Sequence, residues 1–141
     1  MTMTPARKAA LATVPKTEDF AWPMLRAVHI LDGKTASRAE IEEVAFAYMG
    51  LTSAQLAVLK PDRSQTEASN RAWWAMTYLN WVNLVRSANG AWKLMPAGQE
   101  LFADHVLTDD VKRAAFVHGA VHGAKRVHEG IQTGRIKSRA A

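Results

Sequence analysis

Apolar residues recur every three or four positions along much of this chain, which is the spacing of amphipathic α-helices. A first helix is predicted over residues 17–31, where Pro23 is tolerable only in the first turn. A second helix should follow the capping box at residues 37–40 and end before Gly50. A short third helix is predicted over residues 53–59. The first half of the chain is therefore predicted to be a set of short, packed helices.

The most informative helical pattern covers residues 67–82 and follows a second predicted capping box at residues 64–67. Its alanines and leucine repeat with helical spacing and should face the core. Aromatic residues beside them widen this apolar side of the helix. Asn70, Arg71 and Thr77 fall outside that apolar side. The segment is thus predicted to be a helix with one buried side and one polar side.

A β-hairpin should come next. Residues 84–88 and 91–95 flank Asn89-Gly90, and Asn-Gly favours the type I′ turn because both central residues need positive φ. Pro96 suits the first position of a further helix reaching residue 105. A last helical segment should run from a cap at residues 108–110 to about residue 131.

The fold class predicted from this order is mainly α with a small β-hairpin, a winged helix-turn-helix plus a C-terminal helix. The length of 141 residues suits one domain with tails. We expect a flexible leader at residues 1–16, the winged-helix domain at 17–105, the C-terminal helical segment at 106–132 and a basic tail at 133–141.

The composition of the chain argues against several classes of protein. The chain is 48% hydrophobic and contains no cysteine, so it has no disulfide framework and no thiolate metal site. No apolar run approaches the roughly 18 residues of a membrane span, and the first residues lack the apolar core of a signal peptide. These features favour a cytoplasmic protein without a membrane partner. The net charge of +5 permits nucleic-acid binding, although its excess lies in residues 105–141.

The stretch from residue 20 to residue 102 resembles the N-terminal winged-helix domain of Mrr-type restriction endonucleases. The matching pieces are Trp22-Pro23-Met24-Leu25, Ser37-Arg38-Ala39-Glu40-Ile41, Met49-Gly50-Leu51-Thr52 with Gln55-Leu56, Asn70-Arg71-Ala72-Trp73-Trp74-Ala75, Tyr78-Leu79, and Gly90-Ala91-Trp92-Lys93-Leu94 with Gly98. The resemblance implies a module that binds double-stranded DNA and that, in the family, precedes a nuclease domain.

The chain departs from the family in two places. After Asp104 only 37 residues follow, with no strand pattern and no Asp…Glu-x-Lys arrangement for a catalytic metal. Met95-Pro96 stands where the family has a threonine cap, which leaves the end of the second wing strand uncertain. We therefore expect a protein that is not an enzyme, acting as a regulator or as the recognition module of a restriction, defence or mobile-element system.

The predicted DNA contacts centre on the helix at residues 67–82, which should enter the major groove. Ser69, Asn70 and Arg71 should reach base edges, and Thr77 should reach a phosphate or a thymine methyl group. This interpretation requires Asn70 and Arg71 to point outward, clear of the protein interior.

Further contacts with the DNA backbone are expected around that helix. Lys60 and Arg63 precede it and suit phosphate contacts, as does Arg38 at the start of the second helix. The wing should touch the backbone or the minor groove through a set of polar side chains, which are Arg86, Ser87, Asn89 and Lys93.

Other interpretations remain open at this stage. A neutral core rich in tryptophan also suits a protein–protein interaction module that does not bind DNA directly. In the last segment Val117, Val121, Ala124 and Ile131 could pack against a second copy, with Gly119 and Gly123 allowing close approach, or the segment could be a basic arm. His118 and His122 lie four apart but lack a partner ligand at useful spacing, so no metal, cofactor or small-molecule substrate is expected.

Overall fold

The computed structural model describes residues 4–31, 37–88, 90–103 and 109–134. The elements in these ranges are α1 (Pro5–Thr13), a 3₁₀ turn (Thr17–Phe20), α2 (Ala21–Ile30), α3 (Arg38–Met49), α4 (Ser53–Leu56), α5 (Glu67–Trp81), β1 (Val85–Ala88), β2 (Ala91–Leu94), α6 (Pro96–Ala103) and α7 (Asp110–Gln132). The order confirms the predicted fold class, which is mainly α with a hairpin and a C-terminal helix.

Helix α2 lies at the centre of the core, and α3, α5, α7 and β2 all pack against it. Met24 and Leu25 are fully buried, and Val28 is 1% exposed. Burial of each such side chain contributes about 1.5–3 kcal/mol relative to leaving it in water. Pro23 occupies the third position of α2, within the first turn as predicted.

Both ends of α3 lie where the sequence predicts them. Ser37 Oγ accepts from the Glu40 N–H, and the Glu40 carboxylate accepts from the Ser37 N–H, both at 3.2 Å. Gly50 ends the helix with φ of 67°, a left-handed conformation that favours glycine. Both the capping box and the stop signal are confirmed.

Two predicted helix boundaries and one predicted capping box are wrong. The first helix begins as a 3₁₀ turn, and the short helix predicted over 53–59 stops at Leu56, because Leu59 instead forms a bridge with Thr66. The second capping box does not form. Thr66 caps α5 by accepting from the Ser69 N–H at 3.1 Å, while Ser64 bonds to Asp62.

The leader predicted to be flexible contains a helix in its described part, residues 4–16. Thr4 Oγ1 accepts from the Arg7 N–H at 3.1 Å and so caps α1. Val14, just beyond the end of α1, is only 4% exposed and belongs to the main core. This segment is therefore packed against the rest of the domain, and the expectation of a loose leader is wrong for it.

The hairpin forms as predicted, with Val85 opposite Leu94 and Arg86 opposite Lys93. Val85 and Leu94 point into the core. A Cβ atom at Gly98 would overlap the carbonyl oxygen of Leu84, so glycine is required where α6 crosses the start of the hairpin.

Helix α7 packs on α2, α5 and the 3₁₀ turn, so its apolar side is used within the chain. Val117 and Val121 are fully buried and Ala124 is 9% exposed, and Ile131 is half-buried. Val117, Val121 and Ala124 are therefore covered within the chain and do not face a second copy, while a homodimer through other residues of α7 stays a prediction. The tail at residues 135–141 lies outside the described residues. None of the described helices combines the length and apolarity that a membrane span requires.

Candidate nucleic-acid interface

The exposed stripe of α5 is formed by Trp74 and Thr77, with the half-buried Asn70 beside them. Together with Arg38, Gln65 and Trp73, these side chains line a shallow concavity of about 260 Å³. The lining offers two carboxamides, one guanidinium and one hydroxyl group, and it includes no carboxylate. Gln65 was not among the predicted site residues, because sequence pattern placed it in a cap rather than on this surface.

Trp73 connects α5 with both α3 and the wing. The guanidinium carbon of Arg38 lies 4.3 Å from the centre of its ring, and the ring of Trp92 on β2 lies 5.8 Å away. An arginine stacked on a tryptophan keeps its hydrogen-bond donors free at the rim of the ring. Arg38 is thus held beside Asn70 in an exposed position, compatible with its predicted phosphate contact.

Asn70 is held only weakly by its neighbours. Its Oδ1 accepts from Gln65 Nε2 and its Nδ2 donates to Glu67 Oε1, each at 3.4 Å, which is long for such bonds. Thr77 is exposed, and its hydroxyl donates to the Trp73 carbonyl at 3.0 Å. The amide of Asn70 can therefore exchange partners readily, whereas Thr77 offers mainly its methyl group.

Arg71 does not point outward. Its Nη1 donates to the carbonyl oxygens of Val14 at 2.8 Å and Pro15 at 3.0 Å, and Leu11 O lies 3.5 Å away. Its Nε pairs with Glu67 at 3.2 Å, and only 20% of the side chain is exposed. The predicted orientation was wrong because it assumed a disordered leader, and the segment that follows α1 occupies this side chain.

Ser69 is also engaged within the protein. Its hydroxyl donates to Glu42 Oε1, which fastens α5 to α3. The carboxylate of Glu42 is thus partly used by a neighbouring hydroxyl. A base contact by Ser69 would require breaking this bond, so the structure does not bring Ser69 together with Asn70 on an open surface.

Lys60 and Arg63 lie in the turn that precedes α5, and Arg63 is exposed. The Arg63 N–H donates to the Lys60 carbonyl at 2.9 Å, which closes the turn. Both line a second concavity, which also involves Arg7 from α1. Arg7 was missed by sequence reasoning because its helix was not predicted.

On the wing, Arg86 and Lys93 are direct cross-strand partners, and both are exposed. Within the part of the chain that the structure describes, neither has a carboxylate within salt-bridge distance. Ser87 pairs with Trp92 and is also exposed, on the face of the hairpin opposite to Arg86 and Lys93. Asn89 lies outside the described residues.

Two histidines of α7, His118 and His122, bind carboxylates. His122 Nδ1 lies 2.8 Å and Lys125 Nζ 3.1 Å from the carboxylate of Glu18, which is buried, while His118 pairs with the half-exposed Asp19 at 3.2 Å. Burial alone would raise the pKa of Glu18. Hydrogen bonds from His122, from its own backbone and from Lys125 lower that pKa to about 2, against an ordinary 4.5. These groups fasten α7 to the 3₁₀ turn.

The aromatic residues at the C-terminal end of α5 surround a third histidine. Tyr78 Oη lies 2.7 Å from His128 Nδ1, and the rings of Trp74 and Trp81 lie 5.4 Å and 5.6 Å from the His128 ring. Burial, followed by the charges of Glu129 and Glu18, raises the pKa of Tyr78. Trp81 and much of Trp74 thus serve packing against α7.

No curated protein and no solved structure matches the chain. A family model does match, over residues 18–104, and its description is the Mrr N-terminal domain. The matched range begins at the 3₁₀ turn and includes α2 to α6 with the hairpin, so it covers well over half of the 141 residues. The chain therefore belongs to the Mrr N-terminal domain family.

Proposed function

We propose that the protein binds double-stranded DNA through the exposed stripe of α5. In this proposal it performs no chemistry of its own and serves as a regulator or as the recognition module of a restriction or mobile-element system. Membership of the Mrr N-terminal domain family supports the link to restriction.

The observation that carries the proposal is the composition of the concavity around Asn70. Asparagine and glutamine bond the adenine edge in the major groove, and arginine bonds guanine or phosphate. Asn70, Gln65 and Arg38 supply these groups on one surface with no carboxylate in its lining. An α-helix fits the width of the major groove, so α5 can bring this surface to the base edges.

The wing adds a second, electrostatic argument. Like charges directly opposite each other across two strands destabilise a hairpin. Arg86 and Lys93 keep this arrangement in exposed positions. A DNA phosphate near them would remove the repulsion, which supports a backbone contact on the outer side of the wing.

The position of Arg71 changes the expected base contacts. Because Arg71 bonds to the segment after α1, the guanine contact assigned to it is dropped, and Asn70 becomes the main candidate for reading a base. The expected consequence is a preference for adenine at one position.

The test is a fluorescence anisotropy titration with the duplex recovered by selection from random DNA. The substitution Asn70→Ala should raise the Kd about 5- to 150-fold, which corresponds to about 1–3 kcal/mol for one bidentate contact. Asn80→Ala is the matched control, since Asn80 is exposed on the same helix about 15 Å further along. It should leave the Kd within twofold, and neither change should lower the Tm.

Two results would count against the proposal. Equal Kd values for the Asn70→Ala and wild-type proteins would remove α5 as the reading element. Absence of wild-type binding at micromolar protein and low salt would remove DNA binding itself and favour the alternative, a protein–protein interaction module.

A further inference from the structure

We infer that the concavity between α1 and the turn before α5 is a phosphate-binding site. Where the phosphate belongs to DNA, this inference rests on the proposed function. A phosphate carried by a small molecule would bind through the same chemistry.

The concavity has a volume of about 480 Å³ and three cationic side chains in its wall, namely Arg7, Lys60 and Arg63. Alanine, valine, leucine and proline form the rest, and among the described residues no acidic one lines it. Three cations converging on a small, otherwise apolar depression create a local positive potential. The volume exceeds that of a single phosphate group and leaves room for the rest of its ligand.

Two acids next to the concavity in the chain already have partners, although one of them, Glu67, is shared between Arg71 and Arg7. The Asp62 carboxylate accepts from the Ser64 N–H at 3.0 Å and from the Ser64 hydroxyl at 2.7 Å. These bonds lower the pKa of Asp62, so it stays ionised but turned into its own loop. Glu67 pairs with Arg71 at 3.2 Å. The positive charge of the concavity is therefore only partly balanced.

Arg7 carries unused hydrogen-bonding capacity at this wall. Its Nη2 is enclosed and makes no hydrogen bond with any described residue, and the closest carboxylate oxygen, Glu67 Oε2, is 3.9 Å away. An enclosed donor without a hydrogen bond is energetically unfavourable. A guanidinium bonds phosphate through two nitrogens at once, so a small rotation of Arg7 towards a bound phosphate would satisfy it.

Arg63 occupies a backbone conformation that non-glycine residues rarely adopt, with φ of 58°. Such a residue costs more than glycine at the same position, and these conformations concentrate at binding sites. The left-handed turn keeps Lys60 and Arg63 in the wall of the same concavity. An arginine at a position where glycine would be less strained favours a role for its charge.

The site lies beside the N-terminal end of α5. The Leu59–Thr66 bridge and the bond from the Glu67 N–H to the Val58 carbonyl, at 2.8 Å, hold the turn against that end. Helix-turn-helix proteins direct this end of the recognition helix into the groove. A backbone phosphate of the same duplex would then lie within reach, with α1 supplying one of its ligands.

The experiment has two arms with the full chain. In the first, ¹⁵N-labelled protein is titrated with inorganic phosphate against sodium chloride of equal ionic strength. Saturable shifts are expected with phosphate only, at the Arg7 side chain and at the backbone amides of residues 60 and 62–64. They should disappear in Arg7→Gln and persist in Lys8→Gln, the matched control from the exposed side of α1.

The second arm measures the slope of log Kd against log salt concentration with duplex DNA. Each lost phosphate contact should lower the slope by about 0.9. Arg7→Gln should do so, and Lys8→Gln should not. Lys60→Gln repeats the measurement with α1 untouched, in case Arg7→Gln lowers the Tm.

The outcomes separate the two proposals. Phosphate shifts without DNA binding would refute the proposed function and leave the site as a receptor for a free phosphate-bearing ligand. A smaller slope of log Kd against log salt concentration in Arg7→Gln, without chemical shift changes from inorganic phosphate, would assign the site to the DNA backbone. DNA binding with unchanged slopes and no phosphate shifts would overturn this inference and leave the proposed function standing.

Discussion

Helices α1 and α7 both pack against the winged helix from outside, and a charged side chain of the core holds each one. Arg71 binds the carbonyl oxygens at the end of α1, while Glu18 binds His122 and Lys125 on α7. The first attachment joins a cation to neutral backbone dipoles. The second joins a buried carboxylate to two side chains that can be protonated.

This difference in chemistry leads to a difference in response to pH. A guanidinium stays charged at every pH that a protein tolerates, so the bonds of Arg71 to the backbone are indifferent to acid. The carboxylate of Glu18 loses its charge when it is protonated, and it is only 5% exposed. The attachment of α7 should therefore weaken in acid, whereas the carbonyl bonds that hold α1 should persist.

The largest expected effect concerns Glu18 and pH. Its pKa is about 2 in the folded protein and 4.5 ordinarily, so its contribution is complete above about pH 4.5 and is lost as the pH falls towards 2. At about 1.4 kcal/mol for each unit of pKa, the loss is about 3 kcal/mol in the free energy of unfolding. Urea unfolding between pH 2 and pH 7 measures it.

Glu18→Gln is the control for that profile, because it preserves shape but cannot ionise. Its unfolding free energy should be lower than wild type at pH 7 and should fall less steeply below pH 4.5. Parallel profiles for the two proteins would show that another carboxylate causes the acid sensitivity. His118→Gln, which removes an ion pair with the half-exposed Asp19, should change the profile little.

Arg71→Ala should have the next largest effect. It removes the bonds to Val14 and Pro15 and the ion pair with Glu67, and we expect a loss of about 2 kcal/mol. Amide hydrogen exchange should speed up in α1 more than in α2. The sequence analysis instead placed Arg71 on the outer surface, where it would contact DNA and not α1. Unchanged exchange in α1 would refute the attachment.

The parts of the fold that the sequence predicts are those fixed by local chemistry. The capping box at Ser37 and the stop at Gly50 are satisfied within one or two turns of chain, and the hairpin depends on its turn and on alternating strands. Each of these signals is complete in a short window. For this reason their elements appear close to where the pattern places them.

Helix α1 could not be predicted in the same way. Apart from Leu11 its apolar residues are alanines and one proline, and it has no buried residue of its own, so no stripe of large apolar side chains marks it. It is held by Val14 in the core and by Arg71, which lies 57 residues further along the chain. The role of Arg71 depends on this contact between distant segments, and the pattern within α5 contains no sign of it.

The candidate site shows the same division. Helical spacing correctly placed Asn70 and Thr77 on the open side of α5, because exposure follows from period alone. Whether a polar side chain is free or occupied depends on its tertiary neighbours. Ser69 bonds to Glu42 on α3, and Arg7 of α1 lines the same concavity as Lys60. The sequence around Ser69 and Arg7 gives no sign of either contact.

The smallest expected effect tests whether α7 is helical by itself or only while Glu18 holds it in place. Gly119 is exposed, and a Cβ atom there would meet nothing within 4 Å, so Gly119→Ala should raise the unfolding free energy by about 0.5–1 kcal/mol through helix propensity. Urea unfolding measures this at pH 7.

The same gain should appear in the Glu18→Gln background, because Gly119 does not touch Glu18 and separate sites add within about 0.3–0.5 kcal/mol. A gain confined to the wild-type background would mean that α7 is helical near Gly119 only while Glu18 holds it. The attachment would then create the helix as well as position it, and α7 would resemble α1 in depending on a distant charge.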